Sequence, residues 1–137
     1  MFLSGHYDPV RRVFVEGWQF ACCGDAFGVG SQVDWRVGPL TDDEYLVAVL
    51  GGDDAGQVTD IEDHHDVLDG PTEALAGTVQ WIGAVFCAYA LPSPSAKALY
   101  PVSGTGSVET IEHVDGIEPR DRDDREFVGY LVDIDAA

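Results

Sequence analysis

The feature that most constrains the fold is the apolar segment at residues 77–91, Gly-Thr-Val-Gln-Trp-Ile-Gly-Ala-Val-Phe-Cys-Ala-Tyr-Ala-Leu. The segment is rich in β-branched and aromatic residues, which favour strands, and it carries Gly83 near its middle. It is too short to cross a bilayer as a helix, which needs about 20 apolar residues. The segment therefore predicts a long central strand that bends at a glycine bulge at Gly83.

Alternation of apolar and polar residues predicts two strands before this segment. Residues 33–37 read Val-Asp-Trp-Arg-Val, which is the period of a half-buried strand. Residues 12–20 predict the other strand, with Phe14, Trp18 and Phe20 on one face and Val13 and Val15 on the opposite face. Between these two strands, the Cys-Cys-Gly-Asp sequence is typical of a turn, because Gly and Asp tolerate left-handed backbone angles.

Two further strands are predicted toward the C-terminus, over residues 107–114 and 127–134. The Pro-Ser-Pro-Ser sequence at 92–95 predicts a hairpin-like break between the central strand and the first of them. In the last strand, four apolar residues are spaced by two and are predicted to share one face: Val128, Tyr130, Val132 and Ile134.

One short helix is predicted near residues 41–50. Thr41 and Glu44 have the spacing of a capping box, an apolar run follows, and Gly51 and Gly52 end it. The pattern at residues 57–63 fits either a strand or a helical turn. This is the only helix that the sequence predicts clearly.

Five to six strands with one short helix place the chain in the mainly β class. We predict a small curved sheet or a partly open barrel, SH3-like or OB-like, because closing a sheet removes its exposed edges. Residues 1–10 are predicted to be a loosely ordered lead-in, and residues 11–137 a single β-rich domain. A chain of 137 residues is long enough to bury its own core.

The charge of the chain restricts its partners. Twenty-five acidic residues against seven basic ones give a net charge of −18. Such a charge repels nucleic-acid phosphates and anionic membranes, so we expect neither as a partner. Two interpretations remain: a solubility adaptation, or a surface complementary to a basic partner protein such as a toxin or a nuclease.

The N-terminus and the cysteines predict a location. Met-Phe-Leu-Ser-Gly-His lacks a basic region followed by an apolar stretch, so we predict no secretory signal and a cytoplasmic protein. The three cysteines are an odd number, which does not suggest a disulfide framework. Cys87 lies inside the apolar run and is predicted to be a small core residue.

One candidate metal site is formed by the vicinal pair Cys22 and Cys23 with the pair His64 and His65. Thiolate and imidazole are ligands that Zn²⁺ prefers, and both pairs lie in predicted loops that could meet at one end of a barrel. However, adjacent side chains point apart, whereas structural zinc sites space their cysteines by about two to four residues. The alternative is a set of turn and loop residues, so the predicted cofactor is either none or zinc.

Two aspartates near the histidines could take part in this site or in another. One cysteine and one histidine with Asp63 or Asp66 would make an easier coordination shell than all four soft ligands. The same aspartates, together with Trp18 and Trp35, form a candidate binding surface if the indole rings lie exposed near the barrel mouth. The alternative is that the tryptophans fill the core.

Several short motifs occur along the chain: a tryptophan before Cys-Cys-Gly (Trp18, 22–24), Phe-x-Val-Gly (27–30), Val-x-Trp (33–35), a His-His pair (64–65), Gly-Thr-Val (77–79) and Phe-Val-Gly-Tyr-Leu-Val-Asp (127–133). In these motifs most of the chain resembles a family of small bacterial proteins, found mainly in high-GC actinobacteria and labelled a domain of unknown function. The resemblance implies the extent of the domain and no settled activity.

The sequence contains no complete catalytic signature. The glycine-rich stretch at 103–107 lacks the lysine of a phosphate-binding loop, and His113 stands alone on a predicted strand. We therefore expect a non-enzymatic protein-binding or interaction module, of which an immunity-like protein is one form, more than an enzyme. Two alternatives stay open: a zinc-binding domain, structural or hydrolytic, and a small-molecule-binding barrel.

Overall fold

The structure is a computed structural model that describes residues 10–17, 26–39, 43–62, 72–115, 119–121 and 124–136. Strands dominate these residues, and the helices are short. The strands are β1 (Val10–Glu16), β2 (Phe27–Gly28), β3 (Gln32–Pro39), β4 (Asp60–Glu62), β5 (Glu73–Cys87), β6 (Tyr89–Ala90), β7 (Tyr100–Pro101), β8 (Ser107–Ile111), β9 (His113–Val114) and β10 (Glu126–Asp135), and the helices are α1 (Asp43–Leu50) and α2 (Gly52–Ala55).

The main sheet closes on itself. Its strand order is β10-β1-β4-β3-β5, and β10 also pairs with β5, so five strands form a closed barrel. Strand β8 extends the sheet as a sixth strand on β5, and the β1–β4 pairing is parallel. The structure thus confirms the prediction of a mainly β protein with a small barrel and a short helix near residues 41–50, and a second helix of four residues, α2, follows it. Within the ambiguous pattern at residues 57–63, residues 60–62 form the strand β4.

Strand β5 over residues 82–87 and strand β10 over residues 129–132 are buried on both faces, which explains why these stretches are continuously apolar. Inward-facing side chains of four barrel strands, β1, β3, β5 and β10, form one core, with Val13, Ile82 and Val132 fully buried. A second core lies between the outside of the barrel and the helices, where Phe14 and Leu131 pack against Leu46 and other residues of α1 and α2.

Helix α1 confirms the helix that was predicted near residues 41–50. It buries Leu46 and Val49 against the barrel. Gly51 ends it in the left-handed region (φ 88°), and the Gly51 N–H donates to the Val47 carbonyl at 2.8 Å. Glycine is favoured at such a helix end because it has no Cβ to clash.

The bulges of the long strands lie at other residues than the sequence predicted. The β5–β10 register shifts at Gln80 and at Val128, whereas Gly83 pairs regularly. Gly83 is needed for a different reason, since a Cβ there would collide with the ring of Trp81. The extra residue at the second bulge turns Val128 to the outer core, so Val128 does not share a face with Tyr130 as predicted.

No described helix is suited to crossing a membrane. The longer of the two, α1, has eight residues.

Candidate functional site

Seven of the eight residues that the sequence predicted for a site lie outside the described residues. Among them are the four candidate zinc ligands, Cys22, Cys23, His64 and His65, so the zinc site stays a prediction. The same holds for Trp18, Asp63 and Asp66 as parts of a binding surface. Within the part of the chain that the structure describes, no group of three or more His, Cys, Asp or Glu side chains could hold a metal ion.

Trp35 is the one predicted site residue that the structure describes. Its ring is half-buried, packs against the barrel core and meets the ring of Phe27 edge-on at 5.1 Å between centroids. It also lines a cavity of about 290 Å³ beside Asp34 and Gln32. Trp35 therefore contributes to the core and keeps part of its surface accessible.

The interior of the barrel is filled by apolar side chains from β1, β3, β5 and β10. Small barrels of this kind pack their interiors, and only larger ones enclose a ligand. This packing disfavours the hypothesis of a small-molecule-binding barrel.

A cavity of about 350 Å³ lies where β3, β4 and β5 meet. Its buried acid, Asp60, accepts two hydrogen bonds from Arg11, at 2.7 and 2.9 Å, and a third from Thr59 at 2.7 Å. Arg11 also donates to Glu73 at 2.8 Å. These charges are engaged with one another across three strands, so we assign this cluster a role in holding the barrel together.

A second cavity, of about 320 Å³, lies between α1, the β6–β7 hairpin and the start of β10. We call it the tyrosine groove. Tyr45 of α1 and Tyr89 of β6 share a hydrogen bond of 2.9 Å between their hydroxyl oxygens. The groove is lined by Glu16, Gly17, Tyr45, Tyr89, Leu99, Glu126, Phe127 and Val128.

The two tyrosines are held by different parts of the fold. Tyr45 lies on α1, which the outer core anchors to the barrel. Tyr89 lies at the base of the β6–β7 hairpin, and the segment that joins this hairpin to β8 contacts α1 closely at Gly106. A Cβ at Gly106 would overlap the carbonyl oxygen of Val49, so only glycine allows this approach.

Thr105 fixes the base of the same hairpin. The N–H of Ala88 donates to Thr105 Oγ1 at 3.0 Å, and Oγ1 donates to the carbonyl of Val102 at 2.6 Å. The N–H of Val102 in turn donates to the carbonyl of Ala88 at 2.8 Å. These bonds hold the residue before Tyr89, so the tyrosine pair is positioned by both the helix and the hairpin.

Burial raises the pKa of both phenols. For Tyr45, the hydrogen bond with Tyr89 adds to the effect of burial. For Tyr89, the hydrogen bond with Tyr45 acts in the opposite direction, whereas the nearby carboxylates of Glu126 and Glu16 raise the pKa further. Both hydroxyls are therefore neutral at physiological pH.

The charge of the tyrosine groove comes from two carboxylates. Among its described lining residues, the charged ones are Glu16, which is half-buried, and Glu126, which is exposed. Two arginines of β1 are engaged elsewhere. Arg11 pairs with Asp60, and Arg12 pairs with Asp133 at 2.7 Å while its guanidinium lies over the ring of Trp81. The groove thus combines negative charge, two phenols and apolar walls.

The raised pKa values predict a loss of stability at alkaline pH. Below about pH 10 the phenols are neutral in both the folded and the unfolded chain. Above it, the phenols of the unfolded chain ionise while Tyr45 and Tyr89 stay protonated, so the free energy of unfolding falls as the pH rises. We expect this fall to be smaller in Tyr45→Phe, measured by denaturant unfolding across that range.

Exposed Tyr100 provides the control for this measurement, because Tyr100→Phe removes a phenol outside the groove. Ultraviolet absorbance of tyrosinate gives a second readout. We expect fewer phenols to ionise near pH 10 in the folded protein than in denaturant. Identical titrations in the two states would contradict the burial of this pair.

Sequence reasoning missed the residues of the tyrosine groove. Tyr45 lies in the apolar run of the predicted helix, and Tyr89 lies inside the apolar segment at residues 77–91. Glu16 and Glu126 were two acids among 25. Only the pairing of β1 with β10 brings the ends of these strands together, and no local pattern signals it.

The fold and the groove define a class: a small closed β-barrel with two short helices on one outer side and an anionic, tyrosine-lined groove between helix and hairpin. The chain belongs to the family of unknown function DUF6578, whose model matches residues 9–136. No curated protein and no solved structure matches the chain. The predicted membership of a family of unknown function is confirmed, whereas the bacterial origin and the individual motifs stay predictions.

Proposed function

We propose that this protein is a non-enzymatic binding module that takes a cationic side chain of a basic partner protein in the tyrosine groove. The observation that carries the proposal is the hydrogen-bonded pair of Tyr45 and Tyr89 in one groove with Glu16 and Glu126. A basic toxin or nuclease, bound by an immunity-like protein, is one partner with this chemistry.

The groups of the groove match a guanidinium or ammonium ion. Carboxylates accept short, charge-assisted hydrogen bonds from such cations, and arginine can bind them bidentately. Aromatic faces attract cations by about 0.5–2 kcal/mol, more so where water is excluded. Leu99 and Phe127 supply apolar walls for the methylene stem of the cationic side chain.

The direction of the phenol pKa values supports binding over catalysis. A general acid or base works best with a pKa near the working pH. Burial raises the pKa values of Tyr45 and Tyr89 further above neutral pH, so neither phenol is poised to transfer protons. Their hydroxyls keep the ability to donate and accept hydrogen bonds, which is what a recognition site requires.

The overall charge supports a basic partner as well. A net charge of −18 creates a negative field that accelerates the approach of a basic protein and weakens steeply with salt. The field alone gives no specific contact. In the groove, one cationic side chain of the partner is desolvated and bound.

The test is a titration of isotope-labelled protein followed by NMR, with N-acetyl-arginine amide as the probe. N-acetyl-citrulline amide has nearly the same shape without the charge and serves as the control. We expect arginine amide to shift the signals of Tyr45, Tyr89 and Glu126 in a salt-dependent way, and citrulline amide to leave them unchanged. Equal shifts by both probes, or shifts confined to other surfaces, would overturn the proposal.

A further inference from the structure

Exposed apolar side chains are concentrated on the β6–β7 hairpin. Leu91 is 51 %, Leu99 56 % and Tyr100 59 % exposed, and they are the three most exposed large hydrophobic residues in the part of the chain that the structure describes. Clusters of this kind, rimmed by polar groups, mark interaction sites more often than isolated exposed residues do.

The pairing of the hairpin separates these residues into two faces. Tyr89 pairs with Pro101 and Ala90 with Tyr100, so extending the same register places Leu91 opposite Leu99. Residues two apart on a strand share a face. Tyr89, Leu91 and Leu99 therefore lie on one face of the hairpin, which we call the leucine face, and Tyr100 lies on the other.

The leucine face continues the tyrosine groove, since Tyr89 and Leu99 belong to both. We infer that the segment of the partner that binds here presents an arginine or lysine flanked by apolar side chains. The cation enters between Glu16 and Glu126, and the apolar neighbours cover Leu91 and Leu99. This inference rests on the proposed function and adds the chemistry of the partner's contact segment.

Charge complementarity favours this occupant over a second copy of the chain. Each copy carries a net charge of −18, so two copies repel each other, and bringing a second chain onto a groove with two carboxylates adds to that repulsion. A basic segment is attracted instead. An interface with an apolar centre and charged groups beside it also matches the usual arrangement of protein–protein contacts.

The experiment compares two peptides on the full chain: acetyl-Leu-Arg-Leu amide and acetyl-Gly-Arg-Gly amide. We expect the leucine peptide to bind about tenfold more tightly, which corresponds to about 1.4 kcal/mol. Acetyl-Leu-citrulline-Leu amide, without the charge, should bind no more tightly than the glycine peptide. Because this comparison uses the unaltered protein, it does not depend on the folding of any variant.

Substitutions test whether the tighter binding of the leucine peptide comes from the leucine face. Leu91→Ser, at an exposed residue that does not line the groove, should remove most of the advantage of the leucine peptide and leave the glycine peptide unaffected. The matched control is Tyr100→Ser, which alters an equally exposed residue on the opposite face and should change neither affinity. Lys97→Gln removes a positive charge from the loop of the same hairpin and should not weaken either arginine peptide.

The outcomes separate this inference from the proposed function. Equal affinities of the two arginine peptides, with both bound in the groove, would overturn the inference and leave the proposed function standing. Failure of the glycine peptide to bind, together with equal binding of the arginine and citrulline leucine peptides, would overturn both. A dimer that Leu91→Ser dissociates in sedimentation would show that a second copy covers the leucine face, which also overturns the inference.

Discussion

Replacing Glu16 and Glu126 together by glutamine is expected to weaken the binding of N-acetyl-arginine amide by about 30- to 100-fold. Each carboxylate offers a charge-assisted hydrogen bond, and losing one costs about 1–1.5 kcal/mol, or close to tenfold. Glutamine keeps the size of the side chain and removes its charge. Binding is followed by NMR titration at fixed salt concentration.

The control for this prediction is the double variant Glu44→Gln with Glu112→Gln. Both residues are exposed and neither lines the tyrosine groove, so the net charge changes equally while the groove stays intact. We expect this variant to bind the probe within about twofold of the unaltered protein, since distant surface charges are screened. Equal weakening in both double variants would mean that the overall field, and not the groove, attracts the cation.

Phe86→Ala is expected to lower the free energy of unfolding by about 3–5 kcal/mol. Phe86 is fully buried inside the barrel, and its ring contacts the ring of Phe127 at 5.9 Å between centroids. The substitution leaves a cavity that five closed strands cannot collapse to fill. Because Phe127 also lines the tyrosine groove, we expect the loss of packing to weaken cation binding as well.

Denaturant unfolding measures this effect, with Tyr100→Ala as the control. Tyr100 is 59 % exposed, and its truncation should cost less than about 1 kcal/mol. A loss below about 1 kcal/mol for Phe86→Ala would contradict a packed barrel interior. Such a result would favour a barrel that encloses a ligand cavity.

The fold was predictable where the pattern is local. Alternation marked β3 correctly, with half-buried Val33 and Trp35 between exposed neighbours, and a helix-stop glycine marked the end of α1 at Gly51. Bulges were not predictable, because Gln80 and Val128 become extra residues only through the register of β5 with β10. A one-residue offset moves a side chain to the other face of a strand.

The candidate site was less predictable than the fold, for a related reason. The metal-binding side chains of cysteine and histidine predicted a zinc site, whose four residues lie outside the described part of the chain: Cys22, Cys23, His64 and His65. The tyrosine groove is made of common residue types that form a candidate site only because the fold brings them close together. Tyr45 and Tyr89 meet only because α1 and the β6–β7 hairpin pack together. The spacing of residues in a single sequence does not predict such tertiary contacts.

The most direct test of the central claim is the position of a bound guanidinium group. Intermolecular nuclear Overhauser effects between the side-chain methylene protons of N-acetyl-arginine amide and the aromatic ring protons of the protein report it. We expect contacts to the rings of Tyr45 and Tyr89 and none to that of Tyr100. Contacts confined to other rings, such as that of Trp35, would contradict a cation site in the tyrosine groove.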